Sequence, residues 1–131
     1  MTRKEEAGSV GKGSTPTDPI PTLKRIEFLV LLVLADGESH GYRIVQEISD
    51  LTAGRVSVLP GNLYAILRRL GKEGLLVEAP QKPAPDLADQ RRRYYRITGF
   101  GQEVLAAEAK LMGSLVQAFS EKDLMPGGAS S

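Results

Sequence analysis

Pro60-Gly61-Asn62-Leu63-Tyr64-Ala65-Ile66-Leu67-Arg68-Arg69-Leu70-Gly71-Lys72 sets the reading of the whole chain. Leu63, Ile66, Leu67 and Leu70 recur at i, i+3, i+4 and i+7, the spacing of one helix face turned toward a core. Asn62, Ala65, Arg68, Arg69 and Lys72 fall on the other side, which is therefore polar and basic. Pro60 suits the first turn, where its missing N–H costs nothing. Gly74 supplies the left-handed residue that ends a helix. The spacing predicts a helix over 60–72.

Upstream, Ile44, Val45, Ile48 and Leu51 form a second apolar stripe over about 40–51, with Arg43, Gln46, Glu47 and Asp50 facing outward. The short connection 52–59 turns at Gly54. Further upstream lies a helix over about 22–35, ended by Asp36-Gly37. Its run from Phe28 to Leu34 is apolar on every face and must be covered all round, by its own core on one side and a second subunit on the other. A buried strand is the competing reading of that run, because periodicity does not separate the two. Downstream, 75–78 and 92–97 read as an antiparallel hairpin whose long tip contains Pro80, Pro83 and Pro85. Thr98 caps a fourth helix running to about Ser120. Val104, Leu105, Leu111, Met112, Leu115, Val116 and Phe119 share one broad face of it, interrupted by Glu108. Two short helices, the second basic outside and followed by an arginine-bearing hairpin, make a winged helix-turn-helix. The fold is thus mainly α with a small β-hairpin: a flexible tail over 1–21, the winged domain over 22–97, a C-terminal dimerisation helix over 98–122 and a second tail over 123–131.

Bulk properties agree. The chain has 131 residues with 41% hydrophobic content, enough for one modest core that a partner subunit would enlarge. It has no cysteine, which excludes disulfides and thiolate metal sites and suits a reducing cytoplasm. The longest apolar run, 28–35, is far short of the ~20 residues that span a membrane, and the polar stretch at 1–21 leads to the expectation of no export signal. The net charge of +1 conceals a division along the chain: 55–96 carries nine Lys or Arg against four Asp or Glu, a local +5, while each flank is −2. A basic centre between acidic flanks points to a polyanionic partner. His40 is the only histidine and has no carboxylate at metal-ligand spacing beside it, so no metal site is expected and it is read as a helix start. No nucleophile–base pair or glycine-rich phosphate loop can be assembled, so neither enzymatic activity nor a cofactor is expected.

Several strings together resemble the PadR family of regulators. These are His40-Gly41-Tyr42-Arg43-Ile44, the segment Pro60 to Leu70, Gly74-Leu75-Leu76, and Arg93-Tyr94-Tyr95-Arg96-Ile97-Thr98 followed by Gly101. The likeness spans about 23–119, in order, and is nearest to the branch with a short C-terminal helix. It implies a dimeric cytoplasmic transcriptional regulator, often a repressor, that binds an inverted-repeat operator. Its terminal helices would join the subunits, and in some members a small aromatic effector releases the DNA. The family often has Ser before the Pro-Gly and Thr after it; Leu59 and Asn62 stand there in this chain.

Gly61, Asn62, Tyr64, Ala65, Arg68, Arg69, Lys72, Arg91, Arg92 and Arg93 are the candidate DNA contacts. Asn62 and Arg69 have the chemistry to pair bidentately with adenine and guanine, or Arg68 and Arg69 touch phosphate alone. Gly61 lets the helix N-terminus approach the backbone. Tyr64 offers its hydroxyl to a phosphate or packs between helix and wing. Arg91 to Arg93 grip phosphates or enter a narrow minor groove, or form a solvated loop. Tyr95 and Ile97 are expected to face the core, as is Tyr42. Phe28, Leu32, Leu105, Leu111, Met112, Leu115, Val116 and Phe119 are the candidate dimer contacts. Two other functions fit the same pattern: a winged module docking on an acidic protein, and an effector sensor without DNA binding.

Overall fold

A computed structural model describes residues 20–80 and 93–124. The elements run α1 (Arg25–Leu34), β1 (Ser39–His40), α2 (Gly41–Leu51), α3 (Pro60–Lys72), β2 (Leu76–Glu78), β3 (Tyr94–Ile97) and α4 (Gly99–Ser120). The apolar run 28–34 is helical. α1 starts at Arg25 rather than Thr22 because the Lys24 N–H donates to Glu27 Oε1 at 2.8 Å and closes the first turn. α3 has the bounds its spacing predicts.

The expected two-stranded hairpin is part of a three-stranded antiparallel sheet of order β1-β3-β2. Leu76 pairs with Ile97 and Glu78 with Tyr95, while Ser39 and His40 add a further edge against Tyr95 and Tyr94. β1 is only two residues long and contains no apolar alternation, so nothing local announces it. His40 then caps α2, its Nδ1 accepting the Arg43 N–H at 3.3 Å, and its ring meets Tyr94 edge-on at 5.3 Å.

One core serves the described residues. Val30, Leu31 and Leu34 of α1 meet Ile44 and Ile48 of α2, Leu63, Leu67 and Leu70 of α3, then Leu75 and Val104, all without solvent access or nearly so. Each such side chain contributes roughly 1.5–3 kcal/mol by leaving water. Tyr95 joins this core and Ile97 packs at its margin, as the strand alternation predicts.

The turn from α3 into the sheet is a Schellman motif. Leu75 N–H donates to Leu70 O at 3.0 Å and Gly74 N–H to Gly71 O at 3.0 Å, with Gly74 at φ +80° and both leucines buried. The start of α4 locks onto this corner. Thr98 Oγ1 accepts the Gly101 N–H at 2.9 Å and donates to Gly74 O at 2.6 Å, and Thr98 N–H donates to Leu75 O at 3.1 Å. Gly101 lies so close to this corner that an ideal Cβ there would stand 2.0 Å from Leu75 O.

Only the first half of α4 packs on the domain. Val104 and Leu105 are buried in the chain's own core, so Leu105, expected among the subunit contacts from its face of the helix, packs inward instead. Leu111, Leu115, Val116 and Phe119 are exposed, with Met112 half-buried between them. Glu108, which interrupts the apolar face, has a partner: its Oε1 accepts the Leu23 N–H at 3.2 Å. On α1, Phe28 is half-buried and Leu32 lies on the surface. No helix among the described residues is long and apolar enough to cross a membrane.

Candidate nucleic-acid interface

α3 presents Gly61, Asn62, Ala65, Arg68 and Lys72 to solvent. Gly61, Ala65, Arg68 and Lys72 recur at i, i+4, i+7 and i+11 and define the outward ridge. Among the described residues neither Arg68 nor Lys72 has an ion-pair partner, so both charges face water. Leu59, at the N-cap, supplies no side-chain acceptor, which leaves the first-turn N–H groups of α3 without one. At Gly61 an ideal Cβ would meet nothing within 4 Å.

Arg69 occupies a different place from the one its position on the outer face suggested. Its Nε donates to Glu27 Oε2 at 3.0 Å, and its Nη2 forms an ion pair with the same oxygen. One edge of the guanidinium is thus paired with a buried carboxylate of α1, while the arginine side chain itself stays 42% exposed. Asn62, one heptad earlier on the same edge, stays exposed.

Beside the ridge runs an open cleft of about 760 Å³ between the start of α2, α3 and the root of the hairpin. Leu67, Gly71 and Leu76 form its floor, and Tyr42, Tyr64, Arg68 and Arg93 stand around it. Tyr64 packs across the start of α2: its hydroxyl would lie 2.9 Å from a Cβ on Gly41, and it keeps 43% exposure. Packing is therefore one of its roles, and the phenol still reaches solvent. Tyr42 was expected in the core and is instead 72% exposed. α2 turns Ile44 and Ile48 inward, and Tyr42 lies two residues before Ile44, on the opposite side of the helix.

Arg93 stands at the wing root, 3.8 Å from Glu78, with Tyr95 behind it. Burial, and then the nearby Glu78, hold the Tyr95 phenol above its usual pKa of 10.0, so it stays protonated at neutral pH. Arg96, on the other face of β3, pairs with Glu38 at 3.7 Å. Arg91 and Arg92 lie outside the described residues, as do the tip of the hairpin and most of both terminal tails. Among the described residues no cluster of His, Asp or Glu could hold a metal ion.

Sequence reasoning left two residues of this region unassigned to it. Tyr42 follows His-Gly at a helix start, where the first side chain after the cap often projects outward, and that position was the available signal. Glu27 gave none, since its partner is 42 positions away.

Comparison with known proteins converges with this geometry. Residues 30–107 match the Transcriptional regulator PadR-like family. The transcriptional regulator Rv3488 of Mycobacterium tuberculosis is 38% identical over 84 residues, covering 63% of this chain and 71% of that protein. The structure of a transcriptional regulator from Clostridium thermocellum superposes with a TM-score of 0.62 at 25% identity, over 76% of this chain and 90% of that one. The transcriptional repressor CouR, solved on a 23-mer DNA duplex, superposes with a TM-score of 0.55 at 26% identity, over 70% of this chain and 56% of that one. The mainly helical winged fold, the segments matched and the identity of the relatives agree: the chain belongs to the PadR-like family of transcriptional regulators.

Proposed function

We propose that the protein binds duplex DNA as a homodimer and represses transcription from an inverted-repeat operator. The observation that carries this reading is the α3 ridge: two cations unpaired among the described residues, an N-terminus without a side-chain cap and a glycine whose missing Cβ would meet none of the described residues. A phosphate or base edge would use all three, because helix N-terminal N–H groups favour anions and glycine permits close approach. Asn62 and Ala65 would face base edges, while Tyr64, Arg68, Lys72 and Arg93, with Arg91 and Arg92 beyond it, would hold the strand. That a relative in fold is a repressor solved on DNA supports the same reading.

The dimer rests on Phe28, Leu32, Leu111, Met112, Leu115, Val116 and Phe119. An apolar helix face of that size, exposed in one chain, is the usual mark of an association surface. Two α3 helices would then enter successive major grooves ~34–36 Å apart. Release by a small aromatic effector is supported by the family resemblance and stands as an addition to DNA binding rather than its basis. A cytoplasmic location goes with the role.

Anisotropy titration of a labelled duplex selected from a random pool, from about 50 to 200 mM salt, tests the proposal. Arg68, Lys72 and Arg93 give about six phosphate contacts per dimer, hence a log–log slope near −5 and roughly 10³-fold weakening over that range. Steep, palindrome-selective binding is expected. Weak binding to every duplex with no salt slope would overturn it in favour of docking on an acidic protein.

A further inference from the structure

Glu27 is the one acidic residue of α1 and only 6% exposed. Removing a carboxylate from water is costly unless it is paired and hydrogen-bonded. Here both oxygens are used, and for different purposes. Oε1 accepts the Lys24 N–H and fixes the first turn of α1, while Oε2 receives Nε and Nη2 of Arg69 from the last turn of α3. The same end of α1 is held from the other side by α4, through Glu108 Oε1 and the Leu23 N–H. α3 therefore meets, through one side chain, the point where α1 and α4 are joined.

We infer that Arg69 is a positioning residue for DNA reading: bound to Glu27, it sets the rotation of α3 about its axis relative to α1 and α4, and does not itself touch DNA. The inference rests on the DNA-binding reading above. Its physical basis is geometric. Arg69 lies at the edge of the outward ridge, one heptad from Asn62, so a clamp there fixes the direction in which Asn62 and Ala65 project. A two-pronged guanidinium contact constrains angle as well as distance, which a lysine at the same position would not. The core leucines of α3 resist its withdrawal, but an apolar contact is non-directional and leaves roll about the axis less constrained.

Positioning and contact make opposite predictions for salt dependence. A residue that neutralises a phosphate takes about 0.9 per subunit off the slope when removed, hence about 1.8 for the dimer, on any sequence. A residue that aims the reading face lowers affinity for the operator and spares the slope and the affinity for unrelated duplex.

The experiment uses the full chain, with anisotropy titrations on the selected operator and on a scrambled duplex between about 50 and 200 mM salt. Arg69→Gln is expected to weaken operator binding roughly tenfold to a hundredfold, the order lost with a single bidentate base contact. Its scrambled-duplex affinity should stay within about threefold of wild type, with the slope unchanged. Glu27→Gln should give the same loss, and the two together no more than either alone, as members of one unit. Arg69→Lys should recover only part of the discrimination. Arg68→Gln, in the same assay, should flatten the slope on both duplexes. Should Arg69→Gln fail to fold, Glu27→Gln with Arg69→Met leaves neither charge buried alone and carries the same expectation.

A flattened slope on both duplexes for Arg69→Gln would overturn the inference and make Arg69 a phosphate contact. Loss of discrimination in Arg69→Gln but not in Glu27→Gln would overturn it in favour of direct base contact. Wild-type discrimination in folded variants would reduce the pair to a structural ion pair. If the wild-type chain binds neither duplex, it is the DNA-binding reading that fails, and the variants are not what reveals it.

Discussion

Replacing Gly101 by alanine should cost the protein much of its stability, although alanine is the better helix former. An ideal Cβ there stands 2.0 Å from Leu75 O and 2.7 Å from Ile97 Cγ1. The Leu75 oxygen is backbone and already accepts the Thr98 N–H, so it has no free path of retreat. α4 would have to back away by about an ångström, which strains or breaks the Thr98 links to Gly101 and Gly74. Overpacking costs about 1–3 kcal/mol and loss of the cap about 1 kcal/mol. The intrinsic gain from Gly to Ala returns up to about 1 kcal/mol. The net loss is about 1–3 kcal/mol, or roughly 5–20 °C in melting temperature for a domain of this size. Gly113→Ala in the same helix is the control. A Cβ there meets nothing within 4 Å, so it should gain about 0.5–1 kcal/mol. Melting curves by circular dichroism, at one fixed protein concentration, would compare the two. If Gly101→Ala melts within a few degrees of wild type, the close approach of α4 to the α3–β2 corner is not what the structure makes it.

Three other outcomes follow from particular contacts. Ser39 Oγ is buried without a hydrogen-bond partner, so Ser39→Ala should raise stability by about 1 kcal/mol in urea unfolding. Thr98→Ala removes both a cap and a bond to Gly74 O, and should lower stability by about 1–2 kcal/mol in the same assay. The Tyr95 phenol is raised above 10.0, so the folded state holds its proton more tightly than the unfolded one. Its contribution is complete below pH 10 and is lost as pH rises through the higher folded value. Stability measured from about pH 8 to 11 should therefore fall at the alkaline end, and Tyr95→Phe should fall less steeply.

The helices were legible because each carries its own signals. α3 has a proline at its start, a glycine past its end and four apolar residues at helical spacing, and its bounds came out as predicted. α2 and α4 could likewise be read from His40 as a helix start and Thr98 as a cap. What escaped notice depends on partners remote in sequence. β1 exists because Ser39 and His40 meet Tyr95 and Tyr94, and no two-residue segment encodes that by itself. Tyr42 has the size and polarity of a core residue, and only the orientation of α2 turns it outward. Arg69 lies on the basic side of a helical wheel, but a wheel does not include α1. In the same way Leu105 shares a face with Leu115 and Phe119, and only the point where α4 leaves the domain divides the face into a core half and an exposed half.

The sheet also has a meaning for how such a protein changes over time. β3 is bonded on one edge to β2 and on the other to β1, so its register is fixed at the root from both sides. The chain between the two wing strands then does not have to hold them together. Connections between fixed ends are in general cheap to lengthen, the closure cost rising only about 0.6 kcal/mol per doubling. The tip of the wing becomes a segment that can be lengthened, shortened or exchanged between relatives while α3 stays where it is. Under the proposed function, the reach of the wing and the geometry of the reading helix can thus change separately within one small domain.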